Sequence, residues 1–100
     1  MHTDVEVNKK VVDSYITRFG IRTIAFTPDQ GFLLNGKRVQ IQGVCCHQDH
    51  AGVGVAVPDR LNFWRVQKLK EFGANAYRAS HNPPTVSILE ACDSLGMLVV

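Results

Sequence analysis

Pro58-Asp59-Arg60-Leu61-Asn62-Phe63-Trp64-Arg65-Val66-Gln67-Lys68-Leu69-Lys70-Glu71-Phe72-Gly73-Ala74-Asn75-Ala76-Tyr77-Arg78 carries the change of pattern that decides the fold. Leu61, Phe63, Val66, Leu69 and Phe72 supply an apolar stripe, Asp59 can cap the first turn and Gly73 stops the run, so the spacing predicts a helix. Trp64 broadens or flanks that stripe. Ala74 to Arg78 then reads as a short strand. The same signs recur downstream. A loop at Ser80 to Pro84 leads into a second helix with Ile88, Leu89, Cys92 and Leu95 inward, Gly96 ends it, and Met97-Leu98-Val99-Val100 begins another buried strand. Strand, helix, Gly, strand, helix, Gly, strand is the order of repeated β/α units, in which right-handed crossover helices cover a parallel sheet. Such units build either an open doubly wound sheet or a (β/α)8 barrel, and a barrel needs about 250 residues to close. The expectation is therefore an α/β chain holding roughly the first quarter of such a barrel.

Upstream the pattern is that of strands. Phe32-Leu33-Leu34, then Asn35-Gly36, then Lys37 onward is a hairpin, because Asn-Gly accepts the positive φ angles of a type I′ turn. The second arm is expected to run on unbroken into Gly43-Val44-Cys45-Cys46, a strand buried on both faces. Before it, Val11 to Phe19 and Ile21 to Phe26 read as two strands, with Asn8-Lys9-Lys10 turning an earlier short strand, Asp4 to Val7, into the first. Thr27-Pro28-Asp29-Gln30-Gly31 closes this block with turn formers. Two or three strands cannot bury both faces of a sandwich, so further strands are expected upstream.

Composition excludes other classes. The chain is 45% hydrophobic and 20% charged, as globular domains are, and its net charge of +2 comes without a basic stripe, so nucleic acid is not an expected partner. No apolar run approaches the roughly 20 residues of a membrane helix, so no membrane partner is expected, and Met1-His2-Thr3-Asp4 does not open a targeting segment. Localisation is left open. Cys45, Cys46 and Cys92 are an odd set with two adjacent, and read as thiols rather than as a disulfide framework.

Two polar clusters stand where strands give way to loops: His47-Gln48-Asp49-His50, and Arg78, Ser80, His81 and Asn82. Parallel β/α folds assemble their sites at the carboxyl ends of adjacent strands, so the two clusters are expected to face one pocket. Arg78 offers a planar fork for a carboxylate, while His47, His81 and Asn82 can bond sugar hydroxyls. Polar residues at strand ends also cap helices and solvate loops, and for Asp49 and His50 that reading leads. Zinc is not expected at Cys45, Cys46, His47 and His50, because neighbours in a strand point to opposite faces and no C-x-x-C pair is present. The adjacent cysteines read as one core residue and one pocket-wall residue. Trp64, in mid-helix, and Tyr77, facing the helix layer, are assigned to packing rather than to stacking on a sugar.

Phe19-Gly20-Ile21-Arg22, Gly31-Phe32-Leu33-Leu34-Asn35-Gly36-Lys37, Gly43-Val44 with His47-Gln48-Asp49-His50, and Arg78-Ala79-Ser80-His81-Asn82-Pro83 together resemble the β-galactosidase and β-glucuronidase group of family 2 glycoside hydrolases. The resemblance runs from about Val11 to Val100 and is specific for the family but not for the sugar. It implies that residues 1–28 are the last strands of an immunoglobulin-like sandwich, and that 29–100 are the lead-in hairpin and first β/α units of a TIM-barrel catalytic domain. It implies that Arg78 sits beside a nucleophilic glutamate, and that His81 and His47 bind hydroxyls of the sugar being cleaved.

Where the family often has Asn-Arg before the first histidine this chain has Cys45-Cys46, so a salt bridge through that arginine has no counterpart here. The family uses two glutamates in a retaining mechanism, and Asp49, Asp59, Glu71, Glu90 and Asp93 match neither motif. The catalytic pair is thus expected downstream, and the 100 residues alone are expected to be inactive. No cofactor is identifiable, a divalent cation or homo-oligomer in the parent enzyme is left open, and the expected partner is a β-glycoside. The rival class is a non-catalytic carbohydrate-binding or structural β-rich module, against which the change of pattern at mid-chain counts.

Overall fold

A computed structural model describes residues 1–100, which divide into two compact units, 1–39 and 40–100. In the first, β1 (His2–Val7) and β2 (Lys10–Ile16) form an antiparallel hairpin. Asn8 and Lys9, both at positive φ, make its turn. The expected strands are shortened: β2 stops at Ile16, and β3 (Ile24–Thr27) starts only after a segment without strand pairing. β3, β4 (Gly31–Leu34) and β5 (Lys37–Arg38) make an antiparallel meander, with Phe26 against Phe32 at 5.2 Å between ring centroids. Asn35 and Gly36 take φ of 51° and 75°, the tight turn read from Asn-Gly, and the Asn35 side chain also accepts from Thr23 N at 2.9 Å. The Thr27–Gly31 turn joins β3 to β4, which pair with each other.

The unbroken second arm is not formed. β5 ends at Arg38, and β6 (Gly43–His47) belongs to another sheet. Asn75 enforces the break: its Oδ1 accepts from Gln42 N at 2.7 Å and its Nδ2 donates to Gln40 O at 2.8 Å, taking the groups a continuing hairpin would have paired.

The second unit is a parallel sheet in the order β6, β7 (Ala76–Ser80), β8 (Leu98–Val99), linked by α1 (Asp59–Glu71) and α2 (Val86–Leu95). Strand order follows chain order and the two helices pack together over one core, which is the singly wound arrangement of a barrel rather than an open doubly wound sheet. That core is Val66, Tyr77, Ile88, Ala91, Cys92 and Met97.

Helix α1 presents Asn62, Val66 and Leu69 inward at i, i+4 and i+7. Phe63 falls to the side at 42% exposed, and Phe72 lies beyond the last turn at 89%, so neither belongs to the inward stripe expected of them. Asp59 opens the helix but does not cap it; Pro58 holds the cap position. Asn62 is tolerated at 4% exposure because its amide donates to Ser87 Oγ at 3.0 Å and Thr85 Oγ1 at 3.5 Å. In α2, Leu89 is 40% exposed and Ala91 takes the buried place expected of it. Gly43 lets β6 approach β7 closely, since a Cβ there would lie 2.2 Å from the Ala76 carbonyl oxygen.

Candidate functional site

The register of β6 against β7 places Cys45 beside Arg78, Cys46 beside Ala79 and His47 beside Ser80. Strand alternation then sorts the side chains. Tyr77, Cys46 and Ala79 belong with the helix-side core, whereas Cys45 and Arg78 share the opposite face. The adjacent cysteines thus separate as expected, with Cys92 in the core as a third free thiol.

Arg78 organises that face. Its Nη1 donates to Ser80 Oγ at 3.1 Å and to Cys45 Sγ at 3.5 Å, and lies 3.2 Å from His81 Nδ1. A guanidinium only donates, so Nδ1 is the acceptor and the ring hydrogen of neutral His81 resides on Nε2. The rings of His81 and His47 meet edge to face with centroids 5.8 Å apart. The Ser80–His81 peptide is cis. Beyond it, Asn82 Nδ2 donates to Gln48 Oε1, tying together the loops that follow the two strands.

The structure therefore brings His47, Arg78, His81 and Asn82 to one end of adjacent strands. It gives Gln48, a member of the first polar cluster, a partner in Asn82, and adds a residue that sequence reading passed over: Arg65, whose Nη2 donates to the His47 carbonyl at 2.7 Å and fixes the start of the loop. An arginine on the helix gave no signal of that contact. His50 bridges to Gly54 and stands edge-on to half-exposed Trp64, with centroids 6.4 Å apart.

Charge is distributed unevenly. Every side-chain partner of Arg78 is neutral, and neither salt bridge of the chain, His2–Asp4 or Lys68–Glu71, involves it. Hydrogen bonds with Ser80 and then Arg78 hold the Cys45 thiol below its ordinary value, while burial pushes Cys46 up. Burial also raises Cys92 to about 11 and Tyr77 to about 12. Behind the strand ends lies a cavity of about 20 Å³ lined by Gln48, Asn62, Arg65, Tyr77 and Ser80 among others, room for one water. A wider depression of about 470 Å³, on His50, Pro58, Arg60, Leu61 and Trp64, is separate from the Arg78 cluster. No three His, Cys, Asp or Glu side chains converge as metal ligands.

What this arrangement can do is bind: a cation with free donors, an imidazole N–H and a linked amide pair face one region, with no pair of carboxylates among them. The family described as "Glycosyl hydrolases family 2, TIM barrel domain" matches residues 26–100. A β-galactosidase from Bacteroides ovatus is 43% identical over 98 residues, which are 98% of this chain and 12% of that enzyme. A β-glucuronidase from Bacteroides fragilis is 37% identical over 89 residues, 89% of this chain and 13% of that one. Among solved structures, a glycosyl hydrolase family 2 member from Bacteroides cellulosilyticus superposes with a TM-score of 0.87 at 42% identity, covering 99% of this chain and 14% of its own. The chain thus spans about an eighth of the relatives it matches.

Proposed function

The chain belongs to glycosyl hydrolase family 2, with residues 26–100 in that family's TIM barrel domain, and on that premise we propose that it forms one wall of the sugar subsite in a retaining, β-galactosidase-like glycosidase. The observation that carries the reading is Arg78: a guanidinium at a strand end, beside two histidines, held only by neutral side chains. Its uncompensated charge suits a carboxylate supplied from outside these 100 residues, the nucleophilic glutamate of the retaining mechanism. A second glutamate about 5 Å away would serve as acid and then base.

In this reading His81, His47 and Asn82 bind hydroxyls of the sugar. Hydrogen bonds to those hydroxyls that tighten as the ring flattens toward an oxocarbenium ion would raise turnover more than ground-state affinity. The partner is a β-glycoside, with galactose favoured by the β-galactosidase relative. The 100 residues alone are inactive, because they present no facing carboxylate pair. Residues 1–28 complete an immunoglobulin-like sandwich. In support, β1 and β2 expose Val5, Val7, Val11, Val12, Tyr15 and Ile16, apolar area that calls for a cover.

The test is to express the whole enzyme that carries this chain and assay aryl β-galactosides beside aryl β-glucuronides, following the anomer first released by NMR. The expected result is turnover of the galactoside with retention. Hydrolysis of no aryl β-glycoside, or inversion at the anomeric carbon, would overturn the proposal.

A further inference from the structure

We infer that Cys45 is a positioning residue, one that sets the orientation of Arg78 and through it that of His81. The inference rests on the sugar-subsite reading, but its structural half stands apart from it. Cys45 and Arg78 are directly paired in the parallel register of β6 and β7, so the sulfur and the guanidinium leave the sheet side by side. The 3.5 Å contact from Nη1 to Sγ is an ordinary length for an N–H···S bond.

Nη1 carries two hydrogens and has three neighbours: Cys45 Sγ, Ser80 Oγ and His81 Nδ1. Ser80, 4% exposed, is immobilised in the strand, and His81 begins the loop. Cys45 is the only one of the three on the neighbouring strand, and so the only one that locks the guanidinium across the sheet. With Nη1 committed to these neutral atoms, Nη2 and Nε remain available as the fork that receives a carboxylate. The neutrality of the three acceptors matters as much as their position. A carboxylate in place of Cys45 would neutralise Arg78 and compete for the fork, whereas a thiol steers it and leaves the charge free. The lowered thiol pKa agrees with such a neighbourhood, since the contacts with Ser80 and Arg78 favour the thiolate.

Two measurements on the whole enzyme test this. In Cys45→Val, which removes the acceptor and adds one methyl group at an exposed position, kcat on an aryl β-glycoside should fall about tenfold with KM little changed, the mark of a misaimed group that acts in the transition state. Cys45→Ser, which restores an acceptor, should recover most of that loss. Equal kinetics for Cys45→Val and wild type, or no recovery in Cys45→Ser, would overturn the role. The second measurement is the rate at which iodoacetamide labels Cys45, read by mass spectrometry against buried Cys92 as internal control. Replacing Arg78 by Gln should slow labelling of Cys45 severalfold and leave Cys92 unlabelled. A labelling rate indifferent to Arg78 would refute the pairing itself. Arg78-dependent labelling in a protein that hydrolyses no glycoside would support the pairing while refuting the glycosidase reading.

Discussion

Gly43→Ala tests how tightly the first strand pair must close for the site to exist. An alanine Cβ at this position would meet the Ala76 carbonyl oxygen at 2.2 Å, its carbon at 2.8 Å and its Cβ at 3.0 Å. These are backbone atoms or their immediate substituent, so no side-chain rotation relieves the overlap, and β6 must move away from β7 by about 1 Å. That movement strains two hydrogen bonds at the mouth of the sheet, Ala76 N to Gln42 O at 3.1 Å and Asn75 N to Gln42 O at 2.8 Å. Two weakened bonds at about 1 kcal/mol each, added to an overpacking cost of about 1 kcal/mol or more, give about 3 kcal/mol. For a barrel-sized domain this lowers the thermal midpoint by roughly 6 °C or more. Gly73→Ala is the comparison. Gly73 has φ of 88° but open space where the methyl group of an alanine would stand, so the substitution should cost only about 1 kcal/mol of backbone strain. The assay is thermal unfolding of both variants of the whole enzyme, with kinetics alongside. Because Cys45 and Arg78 lie two residues further along the same strands, kcat of Gly43→Ala should drop about tenfold. A Gly43→Ala midpoint equal to or above that of Gly73→Ala would refute the close-approach argument.

Other outcomes follow from the same geometry. Arg78→Lys should lose about a hundredfold in kcat, since an ammonium cannot span two carboxylate oxygens while anchored to His81; kinetics within about threefold of wild type would remove Arg78 from the site. Val66→Ala, at a fully buried position, should cost about 2 kcal/mol, two methyl groups at about 0.8 each plus a small cavity, and a shift in denaturant midpoint near zero would contradict the packing. Asn62→Leu leaves Ser87 and Thr85 without their amide donor and should cost about 1 kcal/mol, whereas a gain in stability would show that the polar bridge contributes nothing. Cys92, raised from 9.0 to about 11, and Tyr77, raised from 10.0 to about 12, favour the folded state while they stay protonated. Their contribution is complete below about pH 9 and is lost as pH rises through 11 and 12, so the thermal midpoint should fall across that window. A flatter fall in wild type than in Cys92→Ala would reverse the sign.

Much of this is legible in local pattern. Asn35-Gly36, Gly73 and Gly96 announce their backbone angles because few other residues adopt positive φ, and each takes it. The order of β/α units follows from period and punctuation, and strand alternation alone assigns Tyr77 and Arg78 to opposite faces. Helix α1 is the harder element. Its apolar residues outnumber the places on one face, and the row that packs runs through Asn62, a polar residue admitted by two hydroxyl partners, Thr85 and Ser87, at the start of α2. No window of sequence contains both halves of that arrangement.

Spacing and residue type along the chain are enough to assign the family, the strand and helix order, and the placing of His47, Arg78, His81 and Asn82 where strands give way to loops. What these residues do to one another is set by contacts that the fold alone makes. The break between β5 and β6 depends on Asn75, the loop after β6 on Arg65, and the aim of Arg78 on Cys45, contacts between residues 33, 18 and 33 positions apart for Gln42–Asn75, His47–Arg65 and Cys45–Arg78. Register between β6 and β7 sets the first and third of these contacts and the packing of α1 against the sheet sets the second, and both are properties of the folded unit rather than of any one strand or helix.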